Sequence, residues 1–273
     1  MSVMGKEMDM NAVIGLNPFQ VQELQQASQE GNLERVRAVL EAGAQPADLT
    51  RALILASSEG HVEVMKALLE AGAAPGGTDP NGNTSLHHAA HNNQVEAVRL
   101  LLESGVGVNQ KGALASTPLH LALVRTDGDV RDRSEVIAVL LAAGADPNVR
   151  NEQGLVPLDM ALSYARAPGG VKVFSELATG GANLNLQDTL GNTVLHRAAY
   201  DVHEEIVTIL LDAGADIKKR NKDWKTPADV AANRANDFPA DSDYTRRLIA
   251  LAAAIKAREK KHGGLFGFGR HGD

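Results

Sequence analysis

Along much of the chain, a leucine and an alanine three residues apart are followed, after a polar break, by a second aliphatic run at helical spacing. In the fullest copy Leu119 and Ala122 stand behind Thr117-Pro118, and Val136, Val139, Leu140 and Leu141 follow at the spacing of one helix face. Thr117 can cap a helix, Pro118 is suited to its first position, and Gly144 can close the second helix in the left-handed conformation. The unit is therefore two short helices and a turn. Alanine on the inward face lets helices approach closely, and no single pair can bury both of its faces, so such units must stack.

The box Thr117-Pro118-Leu119-His120-Leu121-Ala122 recurs as Thr84-Ser85-Leu86-His87-His88-Ala89, Val156-Pro157-Leu158-Asp159-Met160-Ala161 and Thr193-Val194-Leu195-His196-Arg197-Ala198. Weaker copies begin at Arg51 and Thr226. From the helix-ending glycine to the alanine or leucine of the next box is 14 residues at Gly72–Leu86, Gly105–Leu119, Gly144–Leu158, Gly181–Leu195 and Gly214–Ala228. A constant connection predicts a constant piece of backbone, a turn or short hairpin. Gly43 to Leu53 is only 10 residues, so the first connection should lack a full hairpin and Leu24–Ala44 should be a degenerate cap. Asn109, Asn148 and Asn185 recur ahead of the hairpins and are most simply turn residues.

The Thr-Pro-Leu-His-x-Ala box with a period of about 33 residues resembles the ankyrin repeat. The resemblance implies an all-α solenoid of stacked helix-turn-helix units joined by short β-hairpins or turns. It places a single array over residues 18–260, between an N-terminal segment, 1–17, expected to be poorly ordered, and a glycine-rich tail, 261–273. The tail is expected to be disordered, the other reading being a docking segment that inserts Phe266 and Phe268 into an apolar groove. Thr126–Arg133 lengthens the third repeat by 6 residues and the stretch around Ala165–Gly170 lengthens the fourth by 4. Surface loops tolerate such insertions at small cost; adjacent enlarged loops can also meet a partner.

Composition narrows the chemistry. Hydrophobic residues make up 44% of the chain but aromatics only 3%, consistent with a core of Leu, Ala and Val. With 0 cysteines there is no disulfide framework, thiolate nucleophile or cysteine-based zinc site, and a reducing, cytoplasmic setting is expected. Neither a secretory signal nor a membrane span is legible. No phosphate loop or nucleophile elbow occurs. His87, His120 and His196 share one place in three repeats, so one structural hydrogen bond should explain all of them; His88 and His91 lack further ligands for a metal. The expectation is no catalytic residue, no cofactor, no metal and no small-molecule substrate.

Function should then lie on the surface. The resemblance implies that hairpin tips and the exposed side of each first helix form a concave recognition face, which carries Asn83, His91, Lys111, Arg125, Arg150, Leu155, Tyr164, Leu190, Tyr200, Arg220, Lys222, Trp224, Lys225 and Arg234 onto it as candidates for partner binding. Trp224 stands where the hairpin glycine is usual, which puts that turn's geometry in question. Among all the positions carried over, 7 are basic and 3 acidic, although the chain's formal charge is −7. Tyrosine and arginine are common interface anchors. The expected role is a non-enzymatic protein-binding module for a partner with an acidic contact surface. An inhibitor or immunity protein that occludes a toxin or enzyme is the alternative, and an enzyme a more distant one. The acidic total and the lack of a basic cluster disfavour nucleic acid.

Overall fold

The computed structural model describes residues 15–124, 131–167 and 169–263. They fold into two compact units, divided between Gly107 and Val108. The first contains α1 (Pro18–Glu30), α2 (Leu33–Leu40), α3 (Pro46–Glu59), α4 (Val62–Glu70), α5 (Ser85–His91) and α6 (Val95–Glu103). The second contains α7 (Pro118–Ala122), α8 (Ser134–Ala142), α9 (Pro157–Ala161), α10 (Gly170–Thr179), α11 (Val194–Tyr200), α12 (Glu204–Asp212), α13 (Pro227–Ala235) and α14 (Asp243–Gly263). No helix among the described residues is long and apolar enough to cross a membrane.

Within the first unit α1 packs on α3 and α3 on α5, while α2 packs on α4 and α4 on α6. Within the second, α7 packs on α9 and α11 on α13, and α8, α10, α12 and α14 follow one another. The periodic leucines supply the core: Leu24, Leu53, Leu86, Leu101, Leu119, Leu140, Leu177, Leu195, Leu210 and Leu248 are all fully buried. Each contributes about 1.5–3 kcal/mol by leaving water. The alanines of the boxes, Ala89, Ala122, Ala161 and Ala198, are buried beside them.

The boxes start helices as their chemistry requires. Thr117 is the extended N-cap of α7 and Pro118 its first residue. Histidine takes the place that Glu or Gln fills in an ordinary capping box: the Thr84, Thr117 and Thr193 N–H groups donate to Nδ1 of His87, His120 and His196 at 3.1, 3.2 and 3.1 Å. On the far side of the ring, Nε2 of His120 donates to the Leu155 carbonyl at 3.2 Å and Nε2 of His196 to that of Lys225 at 3.0 Å. One neutral tautomer thus caps its own helix and ties it to the next hairpin.

The connections are tight turns, with a single β-bridge, Thr78 to Thr84, among the described residues. An Asp or Asn opens four of the five full turns and accepts two backbone N–H bonds, Gly112 standing at that place in the turn before α7. Asp79 Oδ1 takes those of Asn81 and Asn83, Asn151 those of Gln153 and Leu155, Asp188 those of Leu190 and Asn192, and Asn221 those of Asp223 and Lys225. The shortened first connection runs from α2 to Pro46 without such a turn.

The recurring asparagines do more than turn the chain. Asn148 Nδ2 donates to the Gly181 carbonyl at 3.1 Å while its Oδ1 accepts the Asn183 N–H at 2.7 Å. Asn109 does the same to Gly144 and Asp146, at 2.9 and 2.8 Å, and Asn185 accepts the Asp216 N–H at 2.8 Å. They are ties between successive repeats, which a reading of each turn in isolation misses.

Candidate functional site

The candidates of the first unit separate at once. Asn83 is 9% exposed, with its N–H held by Asp79, a buried place where the expectation had an exposed contact residue. His91 is half-buried at the end of α5. Where the first connection is short, α3 and the Thr78–Asn81 turn leave a cleft of about 530 Å³ lined by Thr50, Ile54, Leu55, Pro80 and His88 among others. His88 Nε2 lies 2.9 Å from Asp79 Oδ2 across it. Burial pushes the Asp79 carboxyl up, but His88 and the Asn83 and Asn81 N–H groups outweigh it and hold the group below the ordinary range.

In the second unit the turns carry a ladder of side chains. Arg150 donates to its own turn's Gly154 carbonyl and, at 3.1 Å, to that of Gln187. Gln187 Nε2 repeats the pattern with Gly191 at 2.6 Å and Arg220 at 2.9 Å, and Arg220 donates to the Trp224 carbonyl at 2.5 Å. Arg150 and Arg220 are exposed, as expected of contact residues, but their guanidinium groups also staple turns together. Leu155 is half-buried and offers its carbonyl to His120. Lys111 and Lys222 are exposed.

Tyr164 does not belong to the surface. It is 1% exposed, in a 3-10 turn after α9, with the Arg133 guanidinium 5.8 Å from its ring centre. Arg133 is itself buried and donates to the Ala122 carbonyl at 3.1 Å. The two inserted segments therefore place their anchoring ends inside the fold, and the tyrosine is consumed by packing. Arg125 and most of the Thr126–Arg133 insertion lie outside the described residues, as do residues 264–273 of the tail.

Three candidates do meet. Tyr200, Arg234 and Lys225 line a pocket of about 300 Å³ together with Asn192, Asn221, Asp223, Val230, Asn233 and Asp237. Arg234 stacks 4.5 Å over the Tyr200 ring and 4.9 Å over Phe238, and its guanidinium pairs with Asp237 at 2.7 Å. Asp237 and Phe238 sit in the loop between α13 and α14.

The last turn resolves the question over Trp224. Its φ is 61°, close to the 75° and 77° of Gly154 and Gly191 at the same place, so the turn keeps its geometry at a cost of roughly 1–2 kcal/mol for a residue with a Cβ. The indole is 77% exposed, and Leu190 on the neighbouring turn is 64% exposed. The two turns touch through the backbone, Lys222 N–H donating to the Leu190 carbonyl at 3.0 Å. Five cations lie between Lys218 and Lys225 with Asp223 as the single acid, a local basic cluster at odds with the expectation that none exists.

A profile of "Ankyrin repeats (3 copies)" matches residues 24–112, 53–151, 131–221 and 162–240. The B-cell lymphoma 3 protein homolog of Mus musculus is 33% identical over 144 residues, 51% of this chain and 31% of that protein. Rabankyrin-5 of Homo sapiens is 30% identical over 185 residues, 66% of this chain and 14% of that protein. The chain thus spans less than a third of the length of these curated relatives. Among solved structures, the ankyrin repeat domain of Bcl-3 aligns with TM-score 0.67 and 27% identity, covering 85% of this chain and 97% of that one. The human ASB11 ankyrin repeat domain aligns with TM-score 0.64 and 27% identity, covering 84% and 96%. Overlapping profile matches from Leu24 to Ala240, on capped helix pairs joined by Asx-opened turns, place this chain in the ankyrin-repeat family.

Proposed function

We propose that the chain is a non-enzymatic protein-interaction module, acting in the cytoplasm, which binds a protein partner with an acidic contact surface on the face made by its turns and first helices. The carrying observation is the pocket where Tyr200, Arg234 and Lys225 meet, a tyrosine ring with a guanidinium stacked on it. Tyrosine and arginine in a partly desolvated pocket are the residue types that anchor interfaces. The histidines that could have served catalysis are occupied in helix capping and inter-repeat bonds, which supports the non-enzymatic reading.

The test is affinity capture with the whole chain, identification of retained proteins by mass spectrometry, and binding kinetics on the purified partner. Tyr200→Ala should weaken binding by about 2 kcal/mol with little change in melting temperature. Association should slow as salt is raised beyond about 0.1 M, where the Debye length falls below about 10 Å. A partner that binds this variant with full affinity and associates at a salt-independent rate would place the interface elsewhere.

A further inference from the structure

Resting on the protein-binding reading, we infer that the edge formed by Leu190 and the last described turn, Lys218 to Lys225, is the anchor point of the interface, and that its ligand is an acidic protein segment carrying one large apolar side chain. Three independent observations converge there. Trp224 holds a left-handed backbone conformation with φ 61° at a place filled by Gly82, Gly154 and Gly191 in three other turns and by the small Ala115 in a fourth. A side chain that packed into the fold could offset that strain, but the indole is 77% exposed. The fold therefore carries both the strain and the exposure of an aromatic ring without using it for stability.

Leu190, 64% exposed, is brought beside it by the bond from Lys222 N–H to the Leu190 carbonyl at 3.0 Å. The approach is close: a Cβ at Gly191 would lie 2.8 Å from the Lys222 nitrogen. An apolar pair held on two bonded turns is a rigid platform, and rigidity lowers the ordering cost of binding.

The surroundings select the ligand's charge. Lys218, Lys219, Arg220, Lys222 and Lys225 lie in the same short stretch as Trp224, with Asp223 the only acid there, on a chain whose formal charge is −7. The field there runs against that of the whole molecule, so an acidic segment is steered to this edge and repelled by most of the remaining surface. A single-stranded nucleic acid would also meet cations and an aromatic face. Leu190 argues against it, since an aliphatic side chain paired with the indole completes an apolar contact rather than a stacking step.

Trp224 is the chain's only tryptophan, so its emission reports this site alone. The experiment selects from a displayed library of random 12-residue peptides on the whole chain, then titrates synthetic winners while following tryptophan emission, with a 12-nucleotide oligothymidylate titrated in parallel. The discriminating variant is Trp224→Gly, which suits the left-handed position and preserves the fold; its binding is read by anisotropy of labelled peptide.

Winners rich in Asp and Glu around one aromatic or aliphatic residue, which shift the emission, weaken with NaCl and lose about 30-fold in affinity to Trp224→Gly and to Leu190→Ser, are the expected result. Winners that bind Trp224→Gly with full affinity but lose to Tyr200→Ala would overturn the inference and leave the protein-binding reading standing. No acidic-apolar winner, together with tight oligothymidylate binding that quenches the emission, would overturn both. An empty selection with no oligonucleotide binding would overturn the inference by itself.

Discussion

His196 Nε2 donates to the carbonyl of Lys225 at 3.0 Å while Nδ1 of the same ring accepts the Thr193 N–H at 3.1 Å, so one imidazole joins a helix start to the following turn. Both bonds require the neutral ring with its proton on Nε2. A protonated ring would point a donor at the Thr193 N–H.

Burial depresses the pKa of His196, against the smaller opposing pull of the Lys225 carbonyl, and burial does the same to His120. A histidine with a lowered folded-state pKa binds fewer protons folded than unfolded. Its stabilising effect is complete above the unfolded value, near 6.5, and declines as pH falls from there through the folded value. Thermal melts between pH 7.5 and 5 should show falling stability, and His196→Gln should flatten part of the slope. A variant with the same slope as wild type would remove His196 from that account.

The fourth box departs from the three that pair threonine with histidine, having Val156 for threonine and Asp159 for histidine. Desolvation raises the Asp159 pKa although Arg197 lies 3.8 Å away, and the Val156 N–H reaches the carboxylate at only 3.4 Å. The double substitution Val156→Thr with Asp159→His should restore the box and stabilise the protein by about 1 kcal/mol. Chemical denaturation measures it, and a loss of stability would show that the Asp159–Arg197 pairing outweighs the missing cap.

Asn148 makes two solvent-accessible bonds into the next repeat, so Asn148→Ala should cost about 0.5–1.5 kcal/mol, the net worth of such bonds. Asn148→Gly, which preserves turn freedom, should be no better tolerated. A neutral glycine variant would return this residue to the role of a plain turn former.

Leu101 and Leu140 are fully buried between stacked helices of their own units. Replacing either with Ala should cost about 2–5 kcal/mol, read by denaturant unfolding. Unchanged midpoints in both variants would contradict the packing.

The periodic leucines, the capping boxes and the constant connection length determined the repeat, its helices and the missing first turn, because these are local rules of spacing and capping that act within some tens of residues. Trp224 as a left-handed turn residue was equally local, although its outcome was not: glycine's place fixed the conformation and the fold bore the cost. Tyr164 could not be read in this way. Its position in the repeat implied an exposed contact residue, but the ring is buried with Arg133 against it, and burial is a property of neighbours in space. The same holds for Asn83, and for Asn109, Asn148 and Asn185, which turn their amides across to the next repeat. Tertiary structure also decided which cations, as at Arg150 and Arg220, are bound to backbone carbonyls. Sequence sets what each residue can donate, accept or bury; only the stacking of repeats sets which partner it finds.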